Sequence, residues 1–78
     1  RRIAIEIETG LKHDFKKTAR MIEDRFGQGY NIVVVINPDS EVKRKYEEKL
    51  SALLKKYGDR LLIVEYREFP RLLKRLLG

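Results

Sequence analysis

Apolar and polar residues alternate strictly near the start of the chain. Ile3, Ile5 and Ile7 occupy one set of alternate positions, and Ala4, Glu6 and Glu8 occupy the other. A period of two is typical of a β-strand with one buried face. The pattern therefore predicts a strand from Ile3 to Thr9, which Gly10 ends.

A helical pattern follows this strand. Phe15, Ala19, Ile22 and Phe26 are spaced by four, three and four residues. This spacing places them on one stripe of an α-helix and predicts a helix from about His13 to Phe26. Two glycines follow, and we expect Gly27 to be a left-handed cap at the end of the helix.

The most apolar part of the chain is the unbroken β-branched run from Ile32 to Ile36. Such a run is typical of a central strand in a parallel sheet that is covered on both faces. Asn37 is a good helix N-cap and Pro38 a good first helical residue, so we expect the second helix to begin here.

The remaining chain predicts a helix, a strand and a final helix. The second helix carries an apolar face and ends at Gly58; its apolar residues are Val42, Tyr46, Leu50, Leu53, Leu54 and Tyr57. A third strand is predicted from Leu61 to Tyr66. A short basic helix from Phe69 to Leu77 follows, with Pro70 near its start.

These elements predict one α/β domain over residues 1–78, with the order βαβαβα. Strand–helix–strand units of this length make parallel neighbours through right-handed crossovers. We expect a three-stranded parallel sheet in the order 1-2-3, with both crossover helices on one face. The other face is expected to hold Ala4, Glu6, Glu8 and half of the valine run. Because the last helix is short, we expect a second copy or an upstream segment to cover that face.

Composition narrows the function only slightly. The 78 residues contain no cysteine and carry a net charge of +6. A basic charge favours polyanions such as nucleic acid, although a solvated surface explains it about as well. No apolar run approaches the length of a membrane helix, so we expect no membrane partner and a cytoplasmic location. The sequence does not begin with Met, and we expect it to be an excerpt of a longer protein.

The candidate chemistry lies in the first strand. Glu6 and Glu8 are two residues apart and therefore point the same way, roughly 7 Å apart along the strand. Two carboxylates so placed can share Mg²⁺ or Mn²⁺, which prefer hard oxygen ligands. The alternative is that both glutamates form the solvent face of an edge strand, where charge discourages aggregation.

The segment Ile5-Glu6-Ile7-Glu8-Thr9-Gly10, followed by a basic helix and a valine-rich strand, resembles the second half of the PD-(D/E)xK nucleases. This restriction-endonuclease-like superfamily often carries acid-x-Lys-Thr-Gly on its signature strand. The resemblance covers roughly residues 3–37. It implies a metal-dependent DNA nuclease in which Glu6 is the metal-binding acid, with Glu8 on the usual lysine position.

Two departures from the family pattern shape the expected site. Glu8 stands in place of the lysine, and a lysine of the following helix would take over its role. We take Lys16 as the catalytic candidate, with Lys12 and Lys17 as alternatives. The family also uses an acid on an upstream hairpin, so the resemblance implies that this chain holds only part of a metal site.

Basic side chains form two candidate DNA-binding clusters. Lys12, Lys16, Lys17 and Arg20 belong to the first helix, and Arg71, Lys74 and Arg75 to the last. They are expected to contact phosphates without reading base sequence. The four tyrosines are scattered and are expected at the rim of the core. The alternative to a nuclease is a non-catalytic basic module for self-association or nucleic-acid binding.

Overall fold

The computed structural model describes residues 2–8 and 14–78, and these form three strands and four α-helices. The elements are β1 (Ile3–Ile7), α1 (Phe15–Gly27), β2 (Ile32–Asn37), α2 (Ser40–Lys49), α3 (Ser51–Tyr57), β3 (Leu61–Glu65) and α4 (Phe69–Leu77). Short 3₁₀ turns precede β3 and α4. The predicted α/β class and order of elements are confirmed.

The sheet is parallel throughout, in the order β1-β2-β3. Ile3 lies beside Ile32 in β2, and Val33 lies beside Leu61 in β3. Every residue of β2 is buried, as the β-branched run predicts for a central strand. The predicted strand order 1-2-3 is therefore confirmed.

The core has one layer on each face of the sheet. The larger layer joins α1, α2 and α3 to the sheet; its buried residues are Ala4, Ile22, Val33, Val35, Tyr46, Leu50, Leu61 and Ile63. The smaller layer joins α4 to the opposite face through Phe69, Leu72 and Leu76. Both crossovers therefore pack on one face, as predicted.

The prediction of which face stays open was wrong. Ala4 belongs to the layer that the crossover helices cover, and Glu6 and Glu8 share its face of β1. The incompletely covered face carries the isoleucines instead, and Ile5 and Ile7 are exposed. α4 covers Ile32, Val34 and Ile36, against which Ile3 also packs, but the carboxyl-terminal end of β1 stays exposed at Ile5 and Ile7.

Local capping corrects several predicted boundaries. Asp39, not Asn37, is the N-cap of α2, because its side chain accepts a hydrogen bond from the backbone of Val42. Asn37 is instead the buried last residue of β2. Gly27 is the last helical residue of α1, and of Gly27 and Gly29 it is Gly29 that has a positive φ. α1 begins at Phe15, after an Asp14 cap.

The predicted second helix is two helices. α2 and α3 meet at Leu50, whose φ of −105° and ψ of 20° leave the helical range. Leu50 is buried in the larger core layer, so its side chain anchors the bend to the sheet. Gly58, with φ of 60°, ends α3 as predicted.

Candidate functional site

Glu6 and Glu8 lie where β1 passes beneath α1, which runs back over the sheet in the opposite direction. The N-terminal turns of α1 therefore lie near Glu8, and its last turns lie near Glu6. Both glutamates are half-buried. They line one groove of about 520 Å³ together with Ile7, Asp14, Lys17, Thr18 and Met21. The structure thus brings the two predicted acids to one place.

Glu6 is held by an arginine from the far end of α1. Nε of Arg25 donates to Oε1 of Glu6 over 2.8 Å, and both side chains are partly buried. The carboxylate raises the pKa of the Arg25 guanidinium through this hydrogen bond and through its charge. Arg25 therefore neutralises Glu6, and a cation that binds both carboxylates must compete with it.

Glu8 is held by a hydroxyl. Oγ1 of Thr18 lies 3.1 Å from Oε1 of Glu8 and equally far from the backbone oxygen of Asp14, so its hydrogen can be donated to either. Thr18 is buried, which fixes this donor against the strand. Glu8 has a neutral partner here, so its negative charge remains available to a cation.

Tyr46 of α2 is a neighbour that the sequence pattern did not reveal. Its side chain is fully buried rather than at the core rim, and its ring meets Phe15 edge to face at 4.8 Å. Burial raises the pKa of the Tyr46 phenol; an interaction with Thr18 opposes this rise, and the charge of Glu8 adds to it. Tyr46 thus forms the floor beneath Thr18 and Glu8.

The cations predicted near the acids separate in the structure. Lys17 lines the groove with Glu6 and Glu8, whereas its exposed neighbours Lys16 and Arg20 do not line it. Lys12 lies outside the described residues, as do Thr9, Gly10 and His13. Lys17, rather than Lys16, is therefore the lysine that the geometry associates with the carboxylates.

The second basic cluster lies on the opposite face of the sheet. Arg71 and Arg75 line a groove of about 420 Å³ with Val64, Arg67, Glu68 and Leu72, while Lys74 is exposed outside it. The three arginines are four residues apart and share one side of α4 and the turn before it. The two predicted DNA-binding clusters therefore do not form one surface.

The donor atoms around Glu6 and Glu8 suit a hard divalent cation in kind but not in number. Carboxylate oxygens are the ligands that Mg²⁺ and Mn²⁺ prefer. Within residues 2–8 and 14–78, however, no group of three or more His, Cys, Asp or Glu side chains is arranged to hold a metal. The described residues thus bring two carboxylates together, which is fewer than the three side chains of such a group.

Comparison of the chain with models of protein families, with curated proteins and with solved structures finds no match. No helix in the described ranges is long and apolar enough to cross a membrane. The geometry of the two grooves is therefore the basis for a functional assignment.

Proposed function

We propose that this chain supplies the acidic strand of a metal-dependent nuclease domain that hydrolyses phosphodiester bonds in DNA. The observation that carries the proposal is the shared position of Glu6 and Glu8 in one groove with Lys17. The resemblance of Glu6-Ile7-Glu8-Thr9-Gly10 to the PD-(D/E)xK strand supports it. So does the strand–helix–strand unit around the motif, which agrees with the order that the resemblance implies.

Glu6 and Glu8 would hold Mg²⁺ or Mn²⁺ as part of its ligand set. When bound, such an ion neutralises charge on the phosphate and lowers the pKa of a coordinated water. Thr18 fixes the orientation of Glu8 through its hydroxyl, and Arg25 fixes that of Glu6. Lys17 is the candidate partner for a phosphate oxygen, because it lines the same groove.

A titration of Mn²⁺ followed by NMR tests this proposal. The paramagnetic ion should broaden amide signals of β1 and of the first turns of α1 at concentrations that leave other signals sharp. Glu8→Gln should abolish this local broadening. Glu47→Gln removes the same charge from the exposed face of α2 and should leave it unchanged. Broadening that is spread over all acidic side chains, or that survives Glu8→Gln, would contradict the proposal.

The arginine groove of α4 favours a second candidate function, which is binding of a nucleic-acid backbone without catalysis. Arg67 lies 3.6 Å from Glu65, whereas no carboxylate in the described part of the chain pairs with Arg71 or Arg75. Unpaired arginines at four-residue spacing suit successive phosphate contacts.

Salt-dependent DNA binding tests this second candidate. Replacing both Arg71 and Arg75 by Gln should weaken binding and reduce the slope of log K against log salt by about 1.8, which is the value for two phosphate contacts. Lys49→Gln with Lys55→Gln is the matched control, since it removes the same charge from exposed positions of α2 and α3. If the control variant loses as much DNA affinity, the loss reflects net charge alone and contradicts a specific role for Arg71 and Arg75.

A further inference from the structure

The strand β1 has one unpaired edge. In the described part of the chain it pairs with β2 alone. The backbone N–H of Glu8 donates to Ile36 over 2.8 Å, and the carbonyl of Arg2 accepts from Asn31 over 2.8 Å, so even-numbered residues bond towards β2. Because alternate residues of a parallel strand direct their backbone groups to opposite edges, the groups of Ile3, Ile5 and Ile7 face outward.

The same strand exposes apolar side chains, and its one charged residue, Glu6, is paired with Arg25 on the face beneath α1. Ile5 is 43% exposed and Ile7 is 65% exposed. Proteins commonly prevent edge strands from pairing with other chains by placing a Lys, a Pro or a β-bulge in them. Between Ile3 and Ile7 there is neither Lys nor Pro, and the pairing with β2 continues without a bulge. Such an edge is suited to pairing with another strand.

We propose that this edge pairs with β1 of a second copy of the chain, antiparallel, with Ile5 opposite Ile5 of the partner subunit. In this register Ile3 lies opposite Ile7 of the partner subunit, and Ile7 opposite Ile3 of the partner subunit. Every outward backbone group is then bonded, through about six hydrogen bonds. The two-fold arrangement closes on itself, so it ends at a dimer and joins the two sheets into one.

Charge selects this register over its neighbours. It places Arg2 opposite Glu8 of the partner subunit, and Glu6 opposite Ala4 of the partner subunit. A shift by one residue in each chain towards the carboxyl end would place Glu6 opposite Glu6 of the partner subunit, and like charges directly opposite destabilise a sheet. The reverse shift moves Ile7 past the start of the partner's β1, so fewer residues of the two strands lie opposite each other. The Ile5-centred register is therefore both the most complete and the most complementary.

The dimer does not rest on the proposed nuclease function. Glu6 and Glu8 stay on the face beneath α1, and the pairing rests on the outward backbone groups and the isoleucine side chains, with Arg2 opposite Glu8 of the partner subunit as its charged pair. Metal binding and association have different readouts, so the failure of one is distinguishable from the failure of the other.

Sedimentation velocity of the complete chain over a range of micromolar concentrations tests the association. We expect a monomer–dimer equilibrium that Ile5→Lys weakens at least tenfold, with helix content unchanged by circular dichroism. Leu77→Lys introduces the same charge at a residue that is 74% exposed on α4, away from the edge, and should leave the equilibrium unchanged. A monomer at all concentrations, or a ladder beyond the dimer, would overturn the proposal.

Cross-linking tests the register and does not depend on the Lys variant folding. The chain has no cysteine, so one introduced thiol reports only on itself. Directly opposite residues of the Ile5 pair lie about 5.5 Å apart between Cα atoms, within the range that a disulfide spans. Ile5→Cys should therefore oxidise to a covalent dimer. In Ile7→Cys the two thiols lie about 14 Å apart along the strands and should not react. Equal oxidation of both variants would overturn the register.

Discussion

Arg25 Nε donates to Glu6 Oε1 over 2.8 Å, joining the last turn of α1 to the middle of β1. This pair explains how a glutamate can lie beneath a helix: its charge is neutralised by a partner from that helix. The Arg25 guanidinium also competes with any cation in the groove for the Glu6 carboxylate.

Replacing Arg25 by Gln should therefore lower stability and raise metal affinity. The midpoint of urea unfolding should fall modestly, because partly exposed ion pairs contribute little. The affinity of the groove for Mn²⁺ should rise severalfold, since Glu6 loses its competing cation. Arg20→Gln removes the same charge from an exposed position of α1 and is the control. If both variants bind Mn²⁺ equally, Arg25 does not compete for the site.

Tyr46 should dominate the stability of the larger core layer. Tyr46→Ala removes a fully buried ring and should lower the free energy of unfolding by about 3–5 kcal/mol. Tyr46→Phe keeps the ring and should cost only about 1 kcal/mol, through the lost hydroxyl. Chemical unfolding of both variants measures the difference. A similar cost for the two would mean that the hydroxyl, not the ring, provides the stabilisation.

Acid should destabilise the chain partly through Glu68. A hydrogen bond from the backbone N–H of Glu65 and one from Lys43 lower the pKa of Glu68 below 4.5. A lowered pKa stabilises the fold above pH 4.5, and this contribution disappears as the pH falls through the folded-state pKa. Urea midpoints should therefore fall less steeply below pH 4.5 in Glu68→Gln than in the wild type.

Glu48→Gln is the control for this pH dependence, since Glu48 is exposed on α2. Its acid profile should follow that of the wild type. A Glu68→Gln profile parallel to the wild type would show that the bonds to Glu65 and Lys43 do not distinguish the two protonation states.

The two glycines at the end of α1, Gly27 and Gly29, should respond oppositely to alanine. Gly29 has φ of 93°, and an added Cβ would lie 3.2 Å from Nη1 of Arg2, so Gly29→Ala should cost about 1–2 kcal/mol. Gly27 is helical with open space around it, and Gly27→Ala should stabilise by about 0.5 kcal/mol. Thermal unfolding of the pair measures both, and the opposite order would contradict the assigned turn.

Much of the fold follows from periodicity. The strand order and the common face of the crossover helices follow from the β-branched run Ile32–Ile36 and from the handedness of crossovers. The break at Leu50 could not be predicted, because the apolar pattern continues through it without Gly or Pro. The N-cap of α2 was misplaced because Asn37, Asp39 and Ser40 are all residues that favour the N-cap position. Asn37 is excluded as the cap only because it pairs with Glu65 in the sheet.

Of the residues in the groove, the sequence indicated the two acids and, among several candidate lysines, Lys17. The spacing of Glu6 and Glu8 places them on one side of a strand whatever surrounds it. Which face the helices cover depends on tertiary partners, and Arg25 and Thr18 are far from the strand in sequence. Polarity alone favours the isoleucines for the covered face and gives no hint that the helices pack over the glutamates. The position of Tyr46 next to Thr18 and Glu8 could not be predicted either, because its place on the apolar stripe of α2 is the same as that of any core residue.

The central strand has a consequence for how the molecule opens. β2 contributes Val33 and Val35 to one layer and Val34 and Ile36 to the other. Neither layer can separate from the sheet without exposing part of the same strand, so the two layers share one cooperative transition. The amide protons of β2 therefore exchange with solvent only when the whole domain unfolds, whereas in the monomer those on the outer side of β1 exchange from the native state.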